Sequence, residues 1–533
     1  MSTAHASLET GSRLDNWWAR ILSTPGRLKA WYWGGPLAVL LLAAVLRLID
    51  LGHPHSLVFD ETFYVKDGWS LWNNGYETNW PSDADAQWAK GITNNWESGG
   101  SYVVHPPLGK WLIGLGIWMF GPANSFGWRF AVAVAGIVIV WLVMMMARLL
   151  TKSTLLAVIA GGLIAIDGMA IVMSRVSVLD NLVAVLTLTG VYLVLLDRLR
   201  ARERIGTWAA HLRSQGATDR QLAAQLGPAL WWRPFLLLAG LAFGLSCGVK
   251  WSGLYFLAGY IIYIVVMDAL DRRRAGIGLW FSAAVLKTAP ITALLMVPIA
   301  FVSYLATWTG WLLTDNGYYR HWIAEHPDAQ LKGFFSWVPM WLQELWHYHS
   351  EAYNFHVGMS TPHPYQANPF TWLFMVRPTS MYYVGDGAGV NGCLDNCSSA
   401  INPIANPLIW WAATAALFYL VYRLIRYREW TVGFVLMGMV AGYLPWLMYS
   451  NRTVFQFYGV IYEPYMILAL TLVIGIILGT RNSERSMRVT GIRVVAVFGI
   501  LSILLSIFFW PVWTGEQIPY WYWQAHMWLP SWI

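Results

Sequence analysis

The sequence predicts an all-α membrane protein that crosses the bilayer many times. Three observations carry this reading. Hydrophobic residues make up 57% of the chain and charged residues only 12%, roughly half the charged share of a soluble domain. Apolar runs close to the roughly 20 residues needed to span hydrocarbon recur along the chain. Lys and Arg are shared unequally between alternate loops, as membrane topology requires.

Taken in order, the spans fall near 34–52, 127–148, 153–173, 180–197, 234–249, 252–268, 281–304, 407–425, 430–449, 453–478 and 491–510. That makes about 11 transmembrane helices, the fifth being short. With the N-terminus cytoplasmic, 24 of the 35 Lys and Arg residues fall on the inner side, and the much longer outer segments hold ten. The odd span count places the C-terminus outside. Residues 1–33 carry Trp17, Trp18, Trp31 and Trp33 beside Arg20, Arg27 and Lys29, the pattern of an interfacial cytoplasmic segment rather than a cleavable signal peptide. Residues 34–533 read as one transmembrane domain with two large outer loops, 53–126 and 305–406. The apolar stretch Trp111 to Phe120 in the first loop is too short to span and reads as an interfacial or re-entrant helix.

Composition also excludes classes. The net charge of +7 sits mainly between apolar runs, which argues for topology and against a nucleic-acid partner. The 35 Trp residues suit an interfacial belt. Of three cysteines, Cys247 lies in an apolar run, while Cys393 and Cys397 in "CLDNC" are placed to form a disulfide if that loop faces an oxidising compartment. The outer histidines (His105, His347, His349, His356, His363) match no zinc spacing.

The outer boundary concentrates the ionisable residues. Asp60 and Glu61 stand among aromatics in "VFDETFY", just beyond the first span. Arg129 starts the second. "SRVSVLD" places Arg175 and Asp180 in one tight turn, "GVKWSG" places Lys250 in another, and "SNRTVFQFY" places Arg452 in a third. Ionisable groups at such positions are functional candidates, although a lone Arg or Lys at a helix end is most often an anchor whose charged head snorkels to water. Cations beside a carboxylate suit an anionic lipid headgroup next to a general base. The outer side has no ATP, so group transfer there needs an activated donor arriving through the membrane, such as a sugar on a polyprenyl phosphate. A transporter would place such groups near the midplane, commonly in paired repeats; no repeat is visible here.

These residues resemble the protein O-mannosyltransferases, specifically the actinobacterial type. The matching segments are "FDETFY" (59–64), "HPPLGKWLIGL" (105–115), the Arg of "FGWRFAV" (126–132), "SRVSVLD" (174–180), "GVKWSGLY" (248–255), "YNFHVGMSTPHPYQANPFTWLFMVRP" (353–378) and "MWLPSWI" (527–533). The resemblance implies a GT-C fold and transfer of mannose from polyprenyl-phosphate-mannose to Ser or Thr hydroxyls of exported or membrane proteins. It implies inversion at the anomeric carbon, a multi-pass plasma-membrane location and an active site on the external face. By position, Asp60 is the catalytic carboxylate, and Glu61, its neighbour in the acidic motif, is the second catalytic candidate, placed to position the acceptor or to hold the loop. Arg129, the best candidate, is expected with Arg175, Lys250 and Arg452 to bind the donor phosphate. His105, Pro106, Pro107 and Lys110 form the first-loop motif, and His356, His363 and Tyr365 the second. No cofactor is expected; Mg²⁺ or Mn²⁺ on Asp60 and Glu61 is the rival reading. Membrane lipids and the secretion machinery are further expected partners. Two departures stand out. The second loop has no room for the MIR repeats of eukaryotic relatives, and Ala367 stands where many relatives have Ser after "HPYx". A lipid-phosphate-sugar transferase acting on a glycolipid is the alternative within the same architecture.

Overall fold

The computed structural model describes residues 11–533, so the first ten residues of the expected N-terminal segment lie outside the described residues. Among the described residues, eight helices are long and apolar enough to cross a membrane by length and composition: Pro25–Leu48, Ser125–Thr151, Asp180–Ser214, Gly253–Arg274, Trp280–Thr307, Pro407–Tyr427, Trp430–Leu447 and Arg485–Thr514. The other three expected spans correspond to shorter apolar helices, Thr154–Ala165, Pro234–Cys247 and Glu463–Leu478. Each has a local cause. The first breaks at Ile166 and Asp167, whose carboxylate caps a new helix at Gly168 by accepting from the Met169 N–H. The second begins at Pro234, which cannot continue a helix from upstream. The third is preceded by a short 3₁₀ turn, Gln456–Ile461, rather than by helix.

The boundary expected at residue 33 falls inside a helix. Thr24 caps the Pro25–Leu48 helix and Pro25 opens it, as the preference for Pro at a first helical position predicts. A short preceding helix, Arg13–Ile21, is tied to the start of Arg485–Thr514 by the Arg488–Asp15 ion pair at 2.7 Å.

Small residues let the spans approach closely. Pro234–Cys247 packs between Asp180–Ser214 and Trp280–Thr307. A Cβ on Gly240 would lie 2.7 Å from the Met296 carbonyl oxygen, and Gly244, four residues on, meets Ala300 and Ser303; this is the spacing that membrane helices use to pack backbone on backbone. In the first large loop, helix Glu61–Asn74 lies on helix Leu108–Phe120 in the same way. A Cβ on Gly68 would lie 2.7 Å from the Lys110 carbonyl oxygen.

The all-α expectation holds except for a small antiparallel sheet of order β1-β2-β3: Tyr382–Asp386, Cys397–Ile401 and Gln517–Pro519. The disulfide Cys393–Cys397 closes the β1–β2 connection. The sheet joins the second large loop to the chain after the last long helix and packs near the first loop, where His53 Nε2 donates to the Gly515 carbonyl at 2.9 Å.

Candidate active site

The two adjacent acids of "FDETFY" part company in the structure. Phe59 is in the left-handed region (φ 52°), a conformation that L side chains other than Asn and Asp rarely adopt, and edge contacts with Phe455 and Phe457 hold its ring. Helix Glu61–Asn74 starts immediately afterwards. Glu61 points into the protein and is fully buried. Its Oε1 accepts from Arg129 Nε and the Ser177 N–H, both at 2.8 Å, and its Oε2 accepts from Arg129 Nη2 and the Val58 N–H, both at 2.9 Å. Both carboxylate oxygens are therefore saturated. Asp60 occupies the N-cap position yet makes no side-chain capping bond; its half-buried carboxylate takes a hydrogen bond from Tyr64 and is not locked in an ion pair.

This geometry corrects two expectations. Glu61 has no lone pair left for a reacting hydroxyl. Arg129, 1% exposed, spends its N–H groups on Glu61 and on the carbonyls of Leu51, Pro54 and Ser56, and has none to give a phosphate. The pair is a clamp joining the acidic segment, the Ser125–Thr151 helix and the 174–180 turn. Arg175 is a third correction. It donates to the carbonyls of Leu46, Arg47, Ile49 and Asp50, closing the C-terminal end of Pro25–Leu48, where a cation is favoured by the helix dipole.

Lys250 and Arg452 do meet at one cavity. It has a volume of about 540 Å³, within the range of ligand pockets. His105 and Pro106 of the first loop and His356 of the second also line it, and its apolar walls include Leu254, Leu257, Val297, Phe301 and Trp446. Lys250 Nζ pairs with Asp180 at 2.8 Å and lies 5.1 Å from the centre of the Tyr458 ring. His356 has one tautomer. Its Nε2 lies 2.8 Å from the Val104 carbonyl, which only accepts, so Nε2 carries the proton and Nδ1 accepts from Arg452 Nη2 at 2.9 Å. The ring stacks on His105 at 5.0 Å between centroids.

Electrostatics sort these groups. Burial raises Asp60 to about 6, with Lys250 lowering it, Asp180 raising it and a hydrogen bond from Tyr64 lowering it. A carboxylate base in that range is matched to neutral pH. Burial, against the bond to Val104 and with Arg452 and Lys250 adding repulsion, lowers His356 to about 4. Burial and the neighbouring cations hold His105 well below the ordinary range. Both imidazoles are thus neutral in the working range and present no third charge to a ligand.

The remaining motif residues serve as supports. Lys110, 1% exposed, pairs with Glu77 at 2.5 Å and donates to the His105 carbonyl at 3.2 Å, fixing the first loop from behind. Pro107 is buried and precedes the Leu108–Phe120 helix, and the Leu108 N–H bonds the Gly248 carbonyl, two residues before Lys250. His363 and Tyr365 do not line the cavity. His363 Nδ1 accepts from the Tyr365 N–H, and its ring meets Phe455, which in turn contacts Phe59. Arg377 lies 4.9 Å from the Tyr365 ring and donates to the carbonyls of Pro364, Ser531 and Ile533, so the second-loop and terminal motifs form one latch. The sequence reading missed Glu77, which carries no motif signal, and Trp251 and Tyr458, which sit inside the quoted "GVKWSG" and "SNRTVFQFY" segments and line the cavity.

Comparison with known proteins agrees with this architecture. Residues 37–214 match the model of the dolichyl-phosphate-mannose-protein mannosyltransferases, and residues 341–532 match that of the C-terminal four-transmembrane region of protein O-mannosyltransferase. The polyprenol-phosphate-mannose–protein mannosyltransferase of Mycolicibacterium smegmatis is 33% identical over 94% of this chain and 93% of its own length. That of Mycobacterium tuberculosis is 32% identical over 95% and 92%, respectively. Among solved structures, the S. cerevisiae protein O-mannosyltransferase Pmt1–Pmt2 complex bound to the sugar donor has a TM-score of 0.68 at 14% identity, covering 98% of this chain and 95% of the matched chain. At that identity the likeness speaks for the fold alone, the GT-C fold. The chain is a multi-pass membrane protein that belongs to the protein O-mannosyltransferase family.

Proposed function

We propose that this chain transfers mannose from polyprenyl-phosphate-mannose to Ser or Thr hydroxyls of exported proteins by a single inverting displacement. One observation carries the reading: the half-buried Asp60 carboxylate acts electrostatically on Lys250 and Tyr458, which line a cavity that also holds Arg452 and has otherwise mainly apolar walls. A lipid phosphate needs those cations, and its isoprenoid chain needs those walls.

Asp60 accepts the proton of the acceptor hydroxyl. The oxygen forms its bond to the anomeric carbon on the face opposite the phosphate, and the bond from that carbon to the phosphate oxygen breaks with its electron pair. Lys250 and Arg452 stabilise the departing phosphate by charge-assisted hydrogen bonds. A β-linked donor then gives an α-mannoside. Phosphate leaves without a general acid, so the second carboxylate of a hydrolase is not needed, in keeping with Glu61 being locked in its clamp. The same two cations support a reaction without a metal.

The Lys and Arg asymmetry supports a cytoplasmic N-terminus and a site on the outer face of the plasma membrane. The Cys393–Cys397 disulfide supports the same side, since disulfides persist in oxidising compartments. Unfolded chains emerging from the secretion machinery are the acceptors this placement favours.

The test is transfer of radiolabel from polyprenyl-phosphate-mannose to a Ser/Thr-rich peptide by the purified protein. Labelled peptide formed by wild type and lost in Asp60→Asn is expected. Label that enters only a glycolipid acceptor, or no transfer by the wild type to either acceptor, would overturn it.

A further inference from the structure

Lys250 lies between two acids and chooses one. Among the described residues its ion-pair partner is Asp180, at 2.8 Å, not Asp60. Asp180 is 2% exposed and opens the Asp180–Ser214 helix, where a carboxylate is favoured by the helix dipole. Its position is tightly held. One residue before it, Leu179 packs against Gly109 of the first-loop motif, where a Cβ would lie 2.6 Å from the Leu179 side chain. Three residues before it, the Ser177 N–H is bound to Glu61. One residue after it, Asn181 Nδ2 donates to the Val132 carbonyl at 2.9 Å. The clamp that fixes the acidic segment therefore also fixes Asp180.

We propose that Asp180 is a positioning residue that holds Lys250 at the cavity wall, so that the cation serves the leaving phosphate instead of neutralising the Asp60 base. This rests on the transferase reading above. An ammonium has three donors; one goes to Asp180 and two remain for phosphate oxygens. Without the Asp180 charge, Lys250 turns to Asp60, the other carboxylate it acts on. A lysine paired directly to Asp60 holds the carboxylate in its charged form and makes it a weaker base. The groups facing Asp60 are Lys250, Asp180, Tyr64 and Tyr458. Of these, Lys250 is the one charged group that can change partner.

The experiment measures kcat and donor KM against pH for the purified full-length wild type, Asp180→Asn and Asp180→Glu. For Asp180→Asn, the acid limb of kcat/KM moves to lower pH by on the order of one unit, from the loss of the Asp180 charge that raises Asp60 together with the arrival of the Lys250 charge. Donor KM rises about tenfold, as for loss of roughly one charge-assisted contact. Asp180→Glu keeps the charge, so its limb stays at the wild-type position while donor KM rises, because the cation is displaced by one methylene. Should Asp180→Asn not fold, the Glu variant carries the test alone. A donor KM that stays at the wild-type value in the Asn variant, a limb that stays put there, or one that moves in the Glu variant, overturns the inference. Wild-type protein that transfers no mannose sinks the transferase reading instead.

Discussion

Replacing Asp60 by Asn is expected to make the protein more stable and nearly inactive. The folded state raises Asp60 from an ordinary value of 3.8 to about 6. That is roughly two units, each worth about 1.4 kcal/mol, so holding the charge in this site costs at most about 3 kcal/mol. The sign follows from proton linkage. The folded state binds the proton more tightly than the unfolded chain, so the cost is absent below about pH 4, grows between about 4 and 6, and is complete above that. At pH 7.5 an Asn, neutral and of the same shape, removes it. Its advantage over wild type shrinks as pH falls through 6 towards 4. Transfer, by contrast, falls about 10²–10⁴-fold, as for loss of a general base. The assay pairs thermal unfolding in lipid nanodiscs with mannosyl transfer, both from pH 4 to 8. Glu61→Gln is the control. It breaks a buried ion pair and is expected to lose stability, by about 3–5 kcal/mol. An Asp60→Asn protein less stable than wild type at pH 7.5, or one that keeps most of its activity, refutes the reasoning.

Three further outcomes follow from the same geometry. Wild-type kcat/KM falls about tenfold per unit below roughly pH 6, the value to which Asp60 is raised; a flat profile down to pH 5 would exclude Asp60 as the base. Arg129→Ala lowers the yield of folded protein and its unfolding midpoint, but the folded fraction keeps its donor KM, because Arg129 faces Glu61 and backbone carbonyls rather than the cavity; a selective rise in donor KM would restore it as a phosphate ligand. Transfer survives EDTA, and lasting loss restored by Mg²⁺ or Mn²⁺ would show that a cation other than Lys250 and Arg452 is required.

The fold was legible because hydrophobic length acts locally along the chain. Where two expected spans shrank, the cause was also local but finer than hydropathy: a capping Asp167 and a 3₁₀ turn at 456–461, while the fifth starts at Pro234 and is short, as expected. The site was legible as a set of charges at one boundary and not as a set of roles. Arg129, Arg175, Lys250 and Arg452 look alike in a sequence, since each is a cation beside an apolar run. In the structure the first closes on a carboxylate and the second on helix-end carbonyls, while the other two keep contact with the cavity. A charge announces itself in the sequence; its partner, coming from a residue as far away as Glu61 is from Arg129, does not.

Asp60 and Glu61 show the division most sharply. The sequence alone determined that an acid pair stands among aromatics just past the first span, beside a boundary rich in cations, in a chain of stacked apolar helices. The family resemblance already favoured Asp60; the tertiary structure supplied a physical reason for the preference. Successive residues at a helix start point about 100° apart, so one neighbour turned towards Arg129 and Ser177 and was consumed by four hydrogen bonds, and the other was left uncapped beside Lys250 and Tyr64, with burial keeping its proton affinity high.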